Sequence, residues 1–438
     1  MKIAWFTPFS RRSAIGKYSQ SATRELTKYW EVDLWVTGDE DLFSTDLNIV
    51  RYLPGSDLST MLKEYDHVVY NMGNYLSFHK DIYEVSRVIR GIVIVHDFVM
   101  HHFFTGYYFS HEKDANAYVR DMEMFYGDEG KRDAIGSLSA ARRPVWESDE
   151  IAKYPFVERT IEGALGVIVH SHFHGSMVKR KYLGPVGVLY HPFDAKKSIS
   201  VITGVQKASL GLQENKVLLI TVGHVNPNKR IDTIIRVLGK NKQIAKKLTY
   251  IIIGPCEHEA YLSDLKILVN HYDLTDTVTF MGFHPDDVLY SYMSAADGFI
   301  NLRFPAMEGA SWSLVEELHF GKPVMVSDTG CYSEMPDECV LKIRTNREEE
   351  DILQALKRLA YKDRSLLDIG IRGKEFALTT FSASRYCDSF LRFLDEVRSW
   401  KPVLGLIDRA SLELSLMGVS DSLPVIDRVA SEISSLFK

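Results

Sequence analysis

The sequence predicts an α/β protein built from two doubly wound, Rossmann-like domains. Three observations predict it. Short β-rich apolar runs recur along the chain, helical stretches separate them, and the series restarts after a polar segment near the middle. A chain of 438 residues also exceeds what a single core usually organises, so two domains are the natural expectation.

The runs of the first series are Ile3–Phe6, Val32–Val36, Val68–Tyr70, Ile92–Val95 and Val167–Val169. Those of the second are Val217–Val222, Tyr250–Ile253, Val278–Phe280, Gly298–Ile300 and Pro323–Val326. Each is short and bounded by Gly, Pro, Asp or Asn, as a buried parallel strand reads. Helical stretches fall between them, at Lys17–Tyr29, Asp232–Leu238, Leu262–His271 and Ser313–Phe320. The polar segment Asp194 to Lys216 carries few strand signals and places the junction near residues 195–215. The expected organisation is an N-terminal domain over 1–200, a C-terminal domain over 201–385, a closing helix over 386–400 and a helical extension over 401–438. The charged stretch from Asp114 to Tyr154 reads as a helical insertion in the first domain. Two such halves are expected to face a cleft, with ligands beyond the carboxyl ends of the strands.

Composition narrows the function. The net charge of −6 gives no general attraction to nucleic acid, and none is expected as a partner. Four cysteines show neither a C-x-x-C pair nor zinc-like spacing, which fits a reducing compartment and predicts no metal centre. The opening MKIAWFTPF has no long apolar stretch, and no run approaches the roughly 18–20 residues of a spanning helix. A cytoplasmic protein is expected, with contact at the inner face of the membrane left open.

The residues that follow the strands carry the candidate chemistry. The first loop, Thr7 to Tyr18, lacks the G-x-G-x-x-G of a dinucleotide site, which disfavours a simple NAD enzyme. Its Gly16, at a helix start, permits close approach by an anion, although this loop alone favours a turn-relieving role. His96 follows a strand directly, and His170 does the same. For His170 a polar cap and a functional role weigh equally. The second series opens with Gly223-His224 and continues to Lys229-Arg230 before a helix. Cations and free N–H groups there suit a diphosphate, or make a solvated turn. The sharpest stretch is Glu308-Gly309-Ala310-Ser311-Trp312-Ser313-Leu314-Val315-Glu316. Small residues admit a ligand to the backbone, Ser311 can cap the helix, and the helix start offers amides to a phosphate. Glu316 can reach a ribose and Glu308 can accept from sugar hydroxyls, unless both merely complement the helix dipole.

Together these residues resemble the retaining glycosyltransferases of GT-B fold, family 4. Glu308 and Glu316 match the E-x7-E motif of that family. Ala296-Asp297-Gly298-Phe299, Gly321-Lys322-Pro323-Val324, Gly330 to Glu334 and Gly223 to Asp232 resemble its further motifs in order. In the first domain, His96-Asp97-Phe98-Val99-Met100-His101-His102, Asn71-Met72-Gly73-Asn74 and Val169-His170-Ser171 resemble members that assemble bacterial surface polysaccharides such as O-antigen or capsule. The resemblance covers roughly residues 1–400.

The resemblance implies transfer of a hexose or deoxyhexose, with retention, from a GDP-, UDP- or dTDP-linked sugar to a saccharide or lipid-linked saccharide. It implies no cofactor and no metal. Lys229 would neutralise the diphosphate, with backbone amides of Trp312 and Ser313 beside it. Glu316 would hold the ribose and Glu308 the transferred sugar. His96 would reach the sugar, Gly16 would let the first loop approach, and Phe283 would lie near the base. The family usually has Arg where His224 stands, so either Arg230 compensates or phosphate affinity falls at alkaline pH. A sugar-nucleotide epimerase of related fold and a non-catalytic scaffold are the competing readings. A third, a PLP-dependent phosphorylase, lacks a cofactor-lysine context. In the extension, Pro424 could open a helix whose Val425, Val429, Ile433 and Leu436 make one apolar stripe. That stripe would pack on the chain's own surface or dock a partner subunit or assembly complex.

Overall fold

A computed structural model describes residues 1–38, 41–194, 204–418 and 424–435. Part of the expected junction, and Leu436 of the expected stripe, lie outside these residues. The chain divides into two compact units, Met1–Pro192 with Ala383–Lys438, and Phe193–Ser382.

The first unit holds a seven-stranded sheet in the order β3-β2-β1-β4-β5-β6-β7. Its strands are β1 (Lys2–Phe6), β2 (Glu31–Val36), β3 (Ile49–Arg51), β4 (His67–Met72), β5 (Ile92–Val95), β6 (Gly166–Val169) and β7 (Val186–Val188). The second unit holds a six-stranded sheet in the order β10-β9-β8-β11-β12-β13. It contains β8 (Val217–Val222), β9 (Leu248–Ile253), β10 (Val278–Gly282), β11 (Gly298–Asn301), β12 (Val324–Ser327) and β13 (Leu341–Ile343). Every pairing among the described strands is parallel. The cause lies in the sequence. β5, β6, β8 and β11 are buried along their whole length, so they have no solvent face to mark with polar residues. In each sheet the first strand sits inside, with order reversing between β1 and β4 and again between β8 and β11. Those reversals are the switch points at which doubly wound sheets open a crevice for ligands.

Ten of the strands coincide with the apolar runs of the sequence. The exceptions, β3, β7 and β13, are three-residue strands at sheet edges. An edge strand that short has too little periodicity to register. The helix expected from Lys17 begins instead at Ala14, because Ser13 caps it by accepting from the Gly16 amide at 3.2 Å. The insertion forms a helix over Ala115–Leu138 that breaks at Gly127, whose φ of 68° is open only to glycine at little cost.

The expected boundary at residue 400 is corrected. One helix, Ala383–Leu416, runs through it despite Pro402. A proline inside a helix removes a hydrogen bond, but the turn beyond it buries Val403 and Leu404 and pairs Asp408 with Arg90. The helix Pro424–Ser435 packs on this long helix, with Val429 and Ile433 half-buried. No helix of the described residues is long and apolar enough to cross a membrane.

Truncation before Lys401 removes the burial of Val403 and Leu404. It is expected to destabilise the first unit by roughly 2–4 kcal/mol in urea unfolding, from about 1.5–3 kcal/mol per buried aliphatic side chain less denatured-state burial. Truncation after Leu416 is expected to cost under about 1 kcal/mol. Equal stability of the two shortened chains would contradict the assignment of Val403 and Leu404 to the core.

Candidate active site

The site gathers at the switch point of the second sheet. β8 ends at Val222, and Gly223 turns the chain with φ of 95°. A short 3-10 turn, Pro227–Lys229, then returns Lys229 beneath the strand end, where it is 4% exposed. Its Nζ donates to the Val222 carbonyl. A Cβ on Gly223 would lie 3.1 Å from that Nζ, so glycine serves both the turn and the lysine. From the neighbouring β11, the chain passes Asn301, Arg303 and Glu308 before the helix Trp312–His319. The Phe304 amide donates to the Asn228 carbonyl at 2.8 Å and ties the two loops together.

Lys229, Arg303 and Glu317 are buried here, and Glu308 beside them is half-buried. Arg303 Nε donates to Glu308 Oε1 at 2.9 Å, and the Tyr332 hydroxyl donates to the same oxygen. Arg303 and Tyr332 hold the Glu308 carboxyl below its ordinary range against a desolvation that alone would raise it. Burial drives the Lys229 ammonium well below its usual value. Arg303 lowers it further, while Glu317 and Glu308 favour its charge. Glu317 is fully buried, and desolvation pushes its carboxyl up to about 8. At neutral pH the cluster therefore holds an ionised Arg303–Glu308 pair beside a protonated Glu317 and an easily deprotonated lysine.

Ser311 caps the next helix: its Oγ accepts from the Leu314 amide at 3.2 Å, and the helix opens at Trp312 and Ser313 with the positive end of its dipole. One turn on, Glu316 is 4% exposed, and its Oε1 accepts from Tyr290 at 2.8 Å and from Trp312 Nε1 at 2.9 Å. Trp312 and Tyr290 thus fix this carboxylate in one orientation.

The structure thereby brings together Lys229, Glu308, Ser311, Trp312, Ser313 and Glu316. Arg230, His224 and Phe283 also belong to the second unit, and Gly16 and His96 to the first. Arg230, the residue that could stand in for the missing arginine, is engaged by an acid. It occupies a left-handed conformation, and its guanidinium grips Glu348 through two bonds, at 2.9 Å from Nε and 2.6 Å from Nη2. His224 is exposed at the loop after β8. Desolvation lowers its pKa, Glu257 acts the other way, and Lys229 lowers it again. Phe283 stands after β10, 75% exposed. Gly16 is required by its own loop, since a Cβ there would lie 2.7 Å from the Pro8 carbonyl and 2.8 Å from that of Ser10. That close packing supports the turn-relieving role rather than approach to a ligand.

His96 belongs to a separate cluster in the first unit. Its Nε2 lies 3.0 Å from Asn71 Oδ1, and its Nδ1 lies 3.1 Å from His170 Nε2. Burial, with neighbouring His170, His191 and His79, holds its pKa well below the usual value. His170 contacts the Leu189 carbonyl at 2.7 Å and stays at about 4. Among the described residues no group of three or more His, Cys, Asp or Glu is placed to hold a metal ion.

Sequence reasoning missed Arg303, Glu317, Asn301, Tyr332 and Tyr290. Arg303 and Asn301 lie just after a strand, which was a usable signal. Glu317 adjoins Glu316 but points from the next helical position into the core. Tyr290 and Tyr332 come from other elements and left no local trace.

With the geometry in hand, comparisons give the class. Residues 204–375 match the family model of Glycosyl transferases group 1. No curated protein matches in a sequence search. Among solved structures, a sucrose-phosphate synthase from Thermosynechococcus elongatus superposes with a TM-score of 0.62 at 15% identity, over 91% of this chain and 99% of its own. Anabaena HepE in complex with UDP and glucose gives 0.62 at 15%, over 90% and 99%. WaaG, a glycosyltransferase involved in lipopolysaccharide biosynthesis, gives 0.58 at 14%, over 89% and 99%. The chain is therefore a glycosyltransferase by its group 1 domain, with the two-domain GT-B fold of these neighbours.

Arg303→Ala would leave Glu308 without its counterion. Breaking such a pair costs on the order of 3–5 kcal/mol, and the loss is expected in urea unfolding of the second unit. A loss below about 1 kcal/mol would mean that solvent, rather than Arg303, compensates Glu308.

Proposed function

We propose that this glycosyltransferase moves a hexose or deoxyhexose from a nucleotide diphosphate sugar to a saccharide or lipid-linked saccharide, with the donor held by the β8–β11 switch point. The observation that carries this reading is the buried Lys229 beside the Ser311-capped helix start. A lysine hidden at a strand end, with Glu317 and Glu308 near enough to favour its charge, has no structural use that an apolar residue would not serve at lower cost.

In this reading the diphosphate meets Lys229 and the amides of Trp312 and Ser313. Its negative charge restores the lysine's proton, because an anion within contact distance favours the ammonium. Together they supply the charge stabilisation that lets the diphosphate depart, without calling on a metal or cofactor. Glu316, held by Tyr290 and Trp312, takes the ribose hydroxyls. Glu308, kept ionised by Arg303, accepts from the hydroxyls of the transferred sugar. Phe283 offers an apolar face to the base. Transfer with retention follows from the resemblance to family 4, the departing phosphate taking the acceptor's proton. HepE holds UDP, which makes UDP the first ligand to try, with GDP and dTDP beside it. WaaG's part in lipopolysaccharide biosynthesis supports an acceptor in a surface polysaccharide at the inner face of the membrane.

Lys229→Ala is expected to weaken nucleoside diphosphate binding by about 10–100-fold, the worth of one charge-assisted hydrogen bond of roughly 1.5–3 kcal/mol. Binding of the bare nucleoside should stay within about threefold. Calorimetry with UDP and uridine reads both. An equal drop for the two would remove Lys229 from the phosphates.

A further inference from the structure

Glu317 has no role in the reading above, yet it is the most deeply buried acid of the site. It is 0% exposed. Asn301 Nδ2 donates to its Oε2 at 2.7 Å and to Ser313 Oγ at 3.0 Å. The remaining oxygens of these two groups, Glu317 Oε1 and Asn301 Oδ1, are both buried and without a hydrogen-bond partner among the described residues. Two such orphans on side chains already joined to each other have one economical explanation. A carboxylate and an amide oxygen can only accept, so an ionised Glu317 strands both atoms. A proton on Oε1 turns it into a donor, and a carboxylic acid and a carboxamide are flat groups that pair through two parallel hydrogen bonds. Leaving two buried acceptors unpaired is costly, which favours the proton.

The consequence reaches the helix start. With both its amide hydrogens engaged, on Glu317 and Ser313, Asn301 cannot rotate. Ser313 Oγ then accepts from Asn301, so its own hydrogen is directed elsewhere. The neighbouring Ser311 Oγ accepts from the Leu314 amide and is hydrogen-bonded to Ser313 Oγ at 3.1 Å; with Ser311 as donor in that bond, Ser313 Oγ accepts twice and its own hydrogen is left for a ligand. We propose that Glu317 is a positioning residue for the donor: as a neutral acid it closes a two-point ring with Asn301, which turns the Ser313 hydroxyl outward as a hydrogen-bond donor to the diphosphate. This rests on the placement of the diphosphate at the Ser311-capped helix.

Burial outweighs the groups that face Glu317. Desolvation dominates and raises its pKa to about 8, and the adjacent Glu316 adds to this. The Asn301 hydrogen bond, Lys229 and Arg303 act in the opposite sense but do not overcome burial. The sign follows. The folded value lies above the ordinary 4.5 of the side chain, so the ring is complete below about 8 and opens as pH rises through it.

Three variants test the proposal in the full chain, with UDP, GDP, dTDP and ADP as probes. Glu317→Gln keeps both arms of the ring without a titrating proton. It is expected to bind the preferred nucleoside diphosphate within about threefold of wild type at neutral pH. Between pH 7 and 9 the wild type should lose about tenfold in affinity, while the Gln variant changes by no more than about threefold. Glu317→Ala, and Ser313→Ala with the ring intact, should each be about tenfold weaker at neutral pH. Infrared difference spectra should show the carbonyl stretch of a protonated carboxylic acid in the wild type at neutral pH, absent from the Gln variant. The proposal fails if the Gln variant loses more than about tenfold at neutral pH, if its alkaline decline matches the wild type, or if the acid band persists without Glu317. A flat wild-type profile with normal binding overturns this proposal alone. Wild-type protein that binds none of the four probes overturns it together with the site.

Discussion

Burying Lys229, Arg303 and Glu317 against one sheet, with Glu308 half-buried beside them, constrains everything around them. Each charge leaves water at a cost of several kcal/mol, which is recovered only where a partner of opposite charge or a full set of hydrogen bonds replaces the solvent. The neighbourhood is arranged to meet that condition. Arg303 and Tyr332 hold Glu308 ionised, Asn301 meets Glu317, and Val222 receives Lys229. Burial disfavours the charge of two members, raising the pKa of Glu317 and lowering that of Lys229, which Arg303 lowers further. Buried groups perturbed in this way are common where a ligand of opposite charge is received.

The sheet topology makes this burial possible. Because the order reverses between β8 and β11, the loops after these strands diverge and leave the strand ends open. Gly223 and the left-handed Arg230 let one loop fold Lys229 back under β8, and the Arg230–Glu348 ion pair holds that fold in place. On the other side, Ser311 starts the helix at a point where Glu316 and Glu317, adjacent in sequence, fall on different sides. Glu316 meets Tyr290 and Trp312, while Glu317 turns to Asn301 inside the core.

How much of this was legible in the sequence depends on how local the information is. Strands covered on both faces announce themselves as apolar runs, so the interior of each sheet could be read. The three-residue edges could not, because β3, β7 and β13 take their place from neighbours rather than from their own pattern. The site was legible where a motif sits on one segment, as from Glu308 to Glu316. Arg230 looked like a phosphate ligand because its partner lies more than a hundred residues away, at Glu348. Tyr332 and Tyr290 were hidden because they reach Glu308 and Glu316 from other elements, 24 and 26 residues away. The packing around Gly16 is local, since the carbonyls it accommodates, those of Pro8 and Ser10, lie in its own loop. The helix through residue 400 was misjudged because the burial of Val403 and Leu404 outweighs a local rule about proline.

The central claim is that the charge cluster between β8 and β11 receives the donor diphosphate. Hydrogen exchange along the whole chain, with and without saturating UDP, GDP or dTDP, tests it most directly, because bound phosphate must occupy the amides it touches. The account predicts slowed exchange at residues 223–230 and 309–316 with the preferred nucleotide, and no such change with the matching nucleoside in the Trp312–Ser313 amides. Protection confined to other segments, or equal protection of those two amides by the nucleoside, would contradict it.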